Sequence, residues 1–216
     1  MTVDSSASSR KRQAILEGAA NVFARDGYAR ASVDAIASEA RVSTRTLYNH
    51  FGDKAGLFAA VLEHTASTVA ARHVAAVRDT LGRIEHKDQL EAGIVEMELA
   101  LEASGGPEEA NHWALVRHVQ ADVDHIPATA INRWREKGPC RTMNEISRQL
   151  ARLGGLGLLQ VEDPGLAAVH LTALLNSTHP GALTCDDGLP EGLAGAERQR
   201  ELVVRAVRAF LHGYQR

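Results

Sequence analysis

The octapeptide TRTLYNHF at residues 44–51 brings together a guanidinium, two hydroxyls, a phenol, an amide and an imidazole, with no acidic residue among them. Such groups donate hydrogen bonds to phosphate oxygens and base edges, whereas hydrolytic chemistry would need carboxylates or a nucleophile beside its base. Leu47 and Phe51 lie four residues apart, so a helix carries both on one face. The spacing therefore predicts a short helix that packs through two apolar residues and presents polar side chains outward.

Two capping residues predict a pair of short helices at this point. Ser43 can accept a hydrogen bond from a backbone N–H two or three residues on, so the second helix begins at Thr44. Ser32 can cap a first helix, whose apolar stripe consists of Val33, Ile36, Ala37 and Ala40. Residues 41–43 then form a tight turn, which makes a helix-turn-helix unit whose second helix enters the major groove of DNA.

A third helix must brace this pair, because neither short helix can bury a core alone. Its predicted span is Ser9 to Asp26, and Gly27 ends it because glycine tolerates the left-handed backbone after a helix C-terminus. Tyr28 can then tuck its ring beneath the bundle. Asp53 is the predicted cap of a long helix from Lys54 to about Leu81.

The residues from Ile15 to Phe58 resemble the DNA-binding domain of TetR-type transcriptional regulators. The resemblance is carried, in order, by FARDGY at residues 23–28, VDAIA at 33–37 and LYNHFGDKAGLF at 47–58. It implies an all-α fold in which an N-terminal helix-turn-helix domain precedes a larger helical domain for effector binding and dimerisation. It also implies a regulator, most often a repressor, that binds a palindromic double-stranded DNA operator as a homodimer and is released by a small-molecule effector.

The resemblance assigns roles to residues of the second helix. Thr44 and Arg45 lie in its first turn and are expected to contact base edges, where Arg45 can pair with guanine O6 and N7. Tyr48 and His50 match family positions that touch the sugar-phosphate backbone, and Lys54 matches a lysine that docks the fourth helix on a phosphate. These last three are expected to set affinity and register, not sequence choice.

Four further residues complete the predicted DNA-contacting set: Ser32, Ser43, Thr46 and Asn49. Ser32 and Thr46 can donate hydrogen bonds to phosphates, but a helix cap and a polar residue of the first turn are alternative roles for them. Asn49 stands where the family often has an aromatic or basic residue. Gly56 is a second departure, since glycine within a helix costs about 1 kcal/mol relative to alanine.

Composition and charge agree with a helical regulator. Of the 216 residues 44% are hydrophobic, and the abundance of Ala, Leu, Glu and Arg favours helices throughout. Residues 1–54 contain eight Lys or Arg against six Asp or Glu, whereas the remainder contains 16 against 21, so the basic end is the predicted DNA end. An overall charge of −3 argues against a nonspecific nucleic-acid coat, which relies on phosphate neutralisation.

The predicted organisation has three parts. Residues 1–9 form a serine-rich disordered arm with little to bury, residues 10–54 the helix-turn-helix domain, and residues 55–216 the effector-binding and dimerisation domain. Further helices are expected at residues 88–103, 108–124, 127–153 with a kink at Gly138-Pro139, 164–177 and 196–213. No apolar run approaches the roughly 20 residues that span a bilayer, so we expect a cytoplasmic protein without membrane contact.

The last two predicted helices carry stripes broad enough to pack against two neighbours. In TetR-type proteins the corresponding helices form a four-helix bundle with those of a second subunit, so the resemblance implies a homodimer. The predicted interface residues are Leu166, Val169, Leu174, Val203, Val207, Phe210 and Tyr214. The alternative is a monomer in which these helices are an ordinary part of the core.

An effector pocket in the larger domain is also implied by the resemblance. The apolar residues that can line it are Met97, Leu101, Trp113, Val116, Trp134 and Met143, and the polar ones that can select a ligand are His112, His118 and Asn176. A plain helical core explains most of these residues equally well.

Ten histidines raise the alternative of a metal sensor or a metal-dependent hydrolase. His118 and His125 are about 10 Å apart along a helix, too far for one ion whose ligands lie near 2 Å. The sequence has no HExxH, GxSxG or glycine-rich phosphate motif, so we expect no metal, no cofactor and no catalysis. Another alternative is an architectural DNA-binding protein, whose affinity would be independent of sequence and steeply salt-dependent.

Overall fold

The computed structural model describes residues 3–103, 106–121, 126, 128–179 and 195–214. Every regular element in these ranges is a helix, which confirms the all-α fold. The helices are α1 (Val3–Arg30), α2 (Val33–Glu39), α3 (Thr44–Phe51), α4 (Lys54–Leu81), a 3-10 helix (Lys87–Gln89), α5 (Leu90–Ala103), α6 (Pro107–Ala121), α7 (Ala128–Lys137), α8 (Pro139–Gly155), α9 (Pro164–Asn176) and α10 (Gly195–Tyr214). None of these helices is both long and apolar enough to cross a membrane.

Most helix boundaries lie within a few residues of the predicted ones, because caps and breaks determine them. α2, α3 and α4 start directly after Ser32, Ser43 and Asp53, as predicted. The segment predicted as one kinked helix at residues 127–153 is instead two helices, α7 and α8, which meet at Gly138 and Pro139. Proline cannot donate the backbone hydrogen bond that a continuous helix requires. The predicted end of the preceding helix, at residue 124, lies outside the described residues.

One compact unit, here unit 1, comprises Met1–Ala71 and Gly105–Pro139. It contains α1, α2, α3, most of α4, α6 and α7, and α6 packs along α1. Phe23 and Phe58 are fully buried and meet edge to face, with ring centroids 4.9 Å apart. The Tyr28 ring lies 4.8 Å from that of Phe58, which confirms its predicted place beneath the bundle.

The other compact unit, unit 2, comprises Arg72–Ser104 and Cys140–Arg216. It contains the end of α4 with α5, α8, α9 and α10, and α10 packs against both α5 and α9. Each of these helices contributes fully buried side chains to one core, among them Leu81, Ile94, Leu150, Leu171 and Phe210.

A buried carboxylate links α8 to α4 within unit 2. The side chain of Glu145 is 2% exposed and accepts hydrogen bonds from Arg78 at 3.0 Å and from Gln149 at 3.0 Å, with Arg148 paired to the same carboxylate. Burial raises the pKa of Glu145, but these hydrogen bonds and the arginine charges lower it more, so the net shift is downward. The carboxylate therefore stays ionised and holds the two helices together.

The N-terminal boundary differs from the predicted one. α1 begins at Val3, so residues 3–9 are helical where a disordered arm was expected. No proline interrupts the chain before the buried Ile15 and Leu16, so the packed helix continues outward through the exposed residues 8–13 toward Val3. Gly27 breaks the helix as predicted, with φ 75°, before one more turn reaches Arg30.

The division between the two units also differs from the predicted domain boundary after residue 54. It falls inside α4, after Ala71, and α6 and α7 belong to unit 1. The reason lies in the apolar residues of these two helices, since Leu115 and Ile131 belong to the same buried cluster as Phe58. The short helix-turn-helix segment is thus only part of a larger core.

The structure gives a steric reason for glycine at position 56, which the sequence did not indicate. It lies in the first turn of α4, where Asp53 Oδ1 accepts its N–H at 2.7 Å and confirms Asp53 as the helix cap. A Cβ atom at this position would overlap the backbone carbonyl oxygen of Phe51. Glycine is therefore required there by the tight connection between α3 and α4, in spite of its lower helix propensity.

We predict that Gly56→Ala lowers the free energy of unfolding by about 1 to 3 kcal/mol, because the added methyl group must displace backbone. Gly213→Ala in α10 is the matched control, since a Cβ there would have no atom within 4 Å. It should leave stability unchanged or raise it by up to about 1 kcal/mol. Urea unfolding followed by circular dichroism measures both, and a gain in stability for Gly56→Ala would contradict the packing argument.

Candidate nucleic-acid interface

The starts of α2 and α3 are determined by two serine caps. Ser32 Oγ accepts the N–H of Ala35 at 3.1 Å, and Ser43 Oγ accepts the N–H of Thr46 at 3.2 Å. Both serines have extended backbone, with ψ near 150°. Each cap satisfies a helix N–H that otherwise has no partner, so both predicted capping roles are confirmed.

The turn between α2 and α3 closes α2 through two backbone hydrogen bonds. The N–H of Val42 donates to Ala37 O at 2.9 Å and that of Arg41 donates to Ser38 O at 3.1 Å. This is the Schellman arrangement, which places the residue after the helix cap in the left-handed region. That residue is Arg41, with φ 53°, at a position that glycine adopts at lower cost.

Burial of one side of α3 presents the other side to solvent. Leu47 is fully buried in unit 1, and Phe51 is half-buried with the guanidinium carbon of Arg12 lying 5.2 Å from its ring centroid. Leu47 and Phe51, the two residues predicted to point inward, therefore both face the core of unit 1. Arg45 is exposed and Tyr48 is 47% exposed, so the polar face of α3 is available for contact.

The other predicted contact residues differ in their exposure and in whether they already have a hydrogen-bond partner. Asn49 is exposed, whereas Thr44 and His50 are half-buried. The hydroxyl of Thr46 lies 2.8 Å from Ser43 Oγ, so these two side chains already hydrogen-bond to each other at the helix start. For Thr46 the structural role is observed, and a contact to phosphate stays a prediction.

Lys54 has an intramolecular role that sequence reasoning missed. Its Nζ donates to the backbone carbonyl of Ala29 at 3.2 Å and lies 4.8 Å from the ring centroid of Tyr28. The ammonium group therefore satisfies a carbonyl at the end of α1 and gains a cation–π contact. No local pattern signals this contact, because Ala29 contributes only backbone.

The contact of Arg12 with α3 was not predicted from the sequence either. Arg12 is exposed on α1, and its packing over Phe51 brings a positive charge beside the C-terminal end of α3. Residues 10–12 are all basic in the sequence, but the stacking of Arg12 on Phe51 depends on how α1 and α3 pack.

The residues predicted to line an effector pocket fall into different units. Unit 1 contains His112, Trp113, Val116 and Trp134, and unit 2 contains Met97, Leu101, Met143 and Asn176. Met97 and Val116 are buried, as core residues would be, whereas Trp113 and Asn176 are exposed. A cleft of about 60 Å³ in unit 1 is lined by other residues: Glu17, Ala20, Asn21, His64, Thr65, Thr68, Val69 and Asn111.

Two histidines proposed as ligand selectors make contacts inside unit 1. The Nδ1 atom of the buried His112 lies 3.1 Å from the hydroxyl oxygen of Thr65, and Nε2 of His118 lies 3.3 Å from Ala24 O. A Cβ on Gly27 would lie 3.2 Å from Nδ1 of His118, so this ring packs tightly against the end of α1. The structural role of His118 is therefore observed, and a contact of its ring with a ligand stays a prediction.

The predicted dimer interface needs correction in α10. Val203, Val207 and Phe210 are at most 1% exposed, because they pack into the core of unit 2 and so cannot also cover a second subunit. The broad stripe of α10 is explained by its two neighbours, α5 and α9. In contrast, Leu166 and Val169 on α9 are each 50% exposed and stay available for an interface.

The two remaining predicted interface residues are partly buried within unit 2. Leu174 packs against its core, and the Tyr214 ring stacks on Phe210 with centroids 4.6 Å apart. The Tyr214 hydroxyl oxygen lies 2.7 Å from Nδ1 of His170. Tyr214 therefore ties the end of α10 to α9.

Two family models match this chain. Residues 15–61 match the model of bacterial regulatory proteins of the tetR family, and residues 107–216 match the C-terminal domain of AefR-like transcriptional repressors. The first match covers α2, α3 and their caps, and the second covers about half of the chain.

Relatives with known names agree with these matches. The transcriptional repressor AcnR of Corynebacterium glutamicum is 29% identical over 61% of this chain and 69% of its own length. A helix-turn-helix transcriptional repressor of Mycobacterium tuberculosis is 28% identical over 77% of this chain and 92% of its own. A crystal structure of a TetR-family regulator from Mesorhizobium loti, 28% identical, superposes with a TM-score of 0.75 over 96% of this chain and 98% of that one.

We predict that Arg41→Gly raises the free energy of unfolding by up to about 1 kcal/mol, because glycine removes the penalty of a left-handed backbone. Arg41→Ala is the matched control, since it removes the same charge but keeps the Cβ atom that causes the penalty. Arg41→Ala should not raise the free energy of unfolding. Thermal unfolding of both variants measures the difference, and equal stabilities would show that the turn is not strained.

Proposed function

Because the chain belongs to the TetR family of bacterial transcriptional regulators, we propose that it binds a palindromic DNA operator as a homodimer and represses transcription until a small-molecule effector releases it. The observation that carries this proposal is the outer face of α3, where Arg45 and Tyr48 are exposed above a buried Leu47. A rigidly anchored helix with exposed donors is what major-groove recognition requires.

Sequence choice is assigned to the first turn of α3. Arg45 is exposed, and its planar guanidinium can form two hydrogen bonds with guanine O6 and N7. Thr44 is half-buried beside it, and its hydroxyl and methyl groups can contact a neighbouring base edge. The N-terminal residues of a recognition helix are those that reach furthest into the groove.

Phosphate contacts are assigned to residues around this helix. Tyr48 and Asn49 are exposed on α3, and His50 is half-buried at its last turn. Lys54 lies at the start of α4, and its ammonium group can attract a phosphate of the duplex. Such contacts position the protein on the duplex and carry no sequence information.

Homodimerisation is supported by the exposed face of α9. Leu166 and Val169 are three residues apart, and Ala173 follows four residues later, so all three lie on one exposed stripe. Exposed apolar side chains that are contiguous on one face often mark an interface. A two-fold dimer would present two copies of α3 to half-sites about 34 Å apart, one turn of DNA.

The relatives support repression. Release by an effector depends on linkage between effector binding and DNA binding. AcnR and the Mycobacterium tuberculosis relative are both described as transcriptional repressors, which favours the same direction of control here. An effector lowers operator affinity only if it binds more tightly to the conformation that DNA does not select. We place this action in the cytoplasm, where a bacterial operator is found.

We predict that Arg45→Ala weakens binding to the preferred duplex by about 1 to 3 kcal/mol and reduces the preference at one or two base pairs, because a bidentate contact to guanine is lost. Binding isotherms on the preferred duplex and on its single-base-pair variants measure both effects. Unchanged preference at every base pair would mean that Arg45 does not read a base.

Lys54→Ala is the comparison variant for Arg45→Ala. It should weaken binding to all duplexes alike and reduce the salt dependence, because it removes a phosphate contact. Because Lys54 also binds the carbonyl of Ala29, the free energy of unfolding of Lys54→Ala must be measured together with its DNA affinity. A change in sequence preference caused by Lys54→Ala would contradict the separation of base and phosphate contacts.

We predict that Val169→Arg converts the dimer to a monomer, because a charge would be buried in the apolar contact of α9. Leu156→Arg is the matched control, since Leu156 is also an exposed apolar residue of unit 2, at 53%, but lies after α8. Sedimentation velocity measures the mass of each variant. A dimeric Val169→Arg protein would place the interface elsewhere.

A further inference from the structure

Unit 2 contains a cluster of three metal-binding side chains outside the proposed DNA interface. Glu98 and Glu102 lie one turn apart on α5, and His179 follows the end of α9. One possible ligand atom from each lies within 4.8 Å of the other two. Local spacing among histidines did not reveal this cluster, which forms when His179, after the end of α9, lies beside α5.

The first unusual feature of this cluster is a buried carboxylate. Glu98 is 5% exposed, and no group in the described segments donates a hydrogen bond to its carboxylate. Buried carboxylates in proteins are normally paired with a cation or bound to a metal.

The second feature is the orientation of His179. Glu102 Oε1 accepts a hydrogen bond from Gln199 Nε2 at 2.6 Å and lies 3.2 Å from Nδ1 of His179. A proton on Nδ1 would be shared with Glu102, which leaves Nε2 with a lone pair. A carboxylate that holds one imidazole nitrogen while the other binds an ion is the usual environment of a metal-ligating histidine.

The third feature is the separation of the donors that face each other. Nε2 of His179 lies 3.7 Å from Oε1 of Glu98. An ion bound at about 2.0 to 2.1 Å to both atoms requires them to be no more than about 4.2 Å apart. These two donors already meet that limit, while Glu102 stays on the opposite side of the imidazole, at Nδ1. The His179 side chain is 44% exposed, which gives an ion access.

We propose that Glu98 and His179 bind a divalent transition-metal ion of the Zn²⁺ type, and that Glu102 orients His179 by holding its Nδ1. The carboxylate of Glu98 and the imidazole of His179 offer one oxygen and one nitrogen donor, a mixed set that suits Zn²⁺ and its neighbours better than Ca²⁺, which takes six to eight oxygens. Water would complete the coordination. The proposal concerns unit 2 alone and holds whether or not the chain binds an operator.

The test is calorimetric titration of the full-length chain with Zn²⁺ after treatment with a chelator. We expect one saturable high-affinity site per chain and a rise in the unfolding temperature when Zn²⁺ is present. Glu98→Gln and His179→Ala should each lower the affinity at least tenfold. Glu98→Gln keeps the size of the side chain and removes the buried charge, so its fold should be retained.

Glu91→Gln is the matched control for nonspecific binding. Glu91 is also on α5, but it pairs with Arg208 at 2.9 Å and lies outside the cluster. Its Zn²⁺ affinity should equal that of the unmodified chain. The proposal is overturned if the chain has no saturable Zn²⁺ site, or if Glu98→Gln and His179→Ala bind Zn²⁺ as tightly as Glu91→Gln does.

Discussion

The burial of Leu47 in unit 1 is the interaction on which the proposed interface depends. An eight-residue helix is too short to be stable alone in water, so α3 persists because Leu47 is fully enclosed and Ser43 caps its first turn. The same packing sets the direction of the other side chains. Arg45 and Tyr48 are exposed because Leu47 faces inward, so one buried leucine determines which residues can meet DNA.

Local signals predicted the helices and the outer face of α3 well, because caps and breaks act over a few residues. Ser32, Ser43 and Asp53 were recognisable from residue type alone, and the structure has them as caps. Contacts between distant segments were not predictable in this way. Lys54 binds a backbone carbonyl of α1, and no side-chain pattern reports such a partner.

The inward face of α10 shows why the interface prediction was wrong for Val203, Val207 and Phe210. A broad apolar stripe indicates two neighbours, but periodicity does not say whether they belong to the same chain. Here α5 and α9 bury Val203 and Phe210, which leaves Leu166 and Val169 for a partner. The Glu98 cluster was missed for a related reason, since His179 is far from Glu98 in sequence and meets it only through the packing of unit 2.

The central claim is that two copies of α3 read one DNA site, and selection of bound sequences from a random duplex pool tests it most directly. The account predicts enrichment of a palindromic consensus whose half-sites are about one helical turn, or a multiple of it, apart. Enrichment of a single asymmetric site would contradict the dimer, and equal retention of all sequences at low salt would contradict base reading by α3.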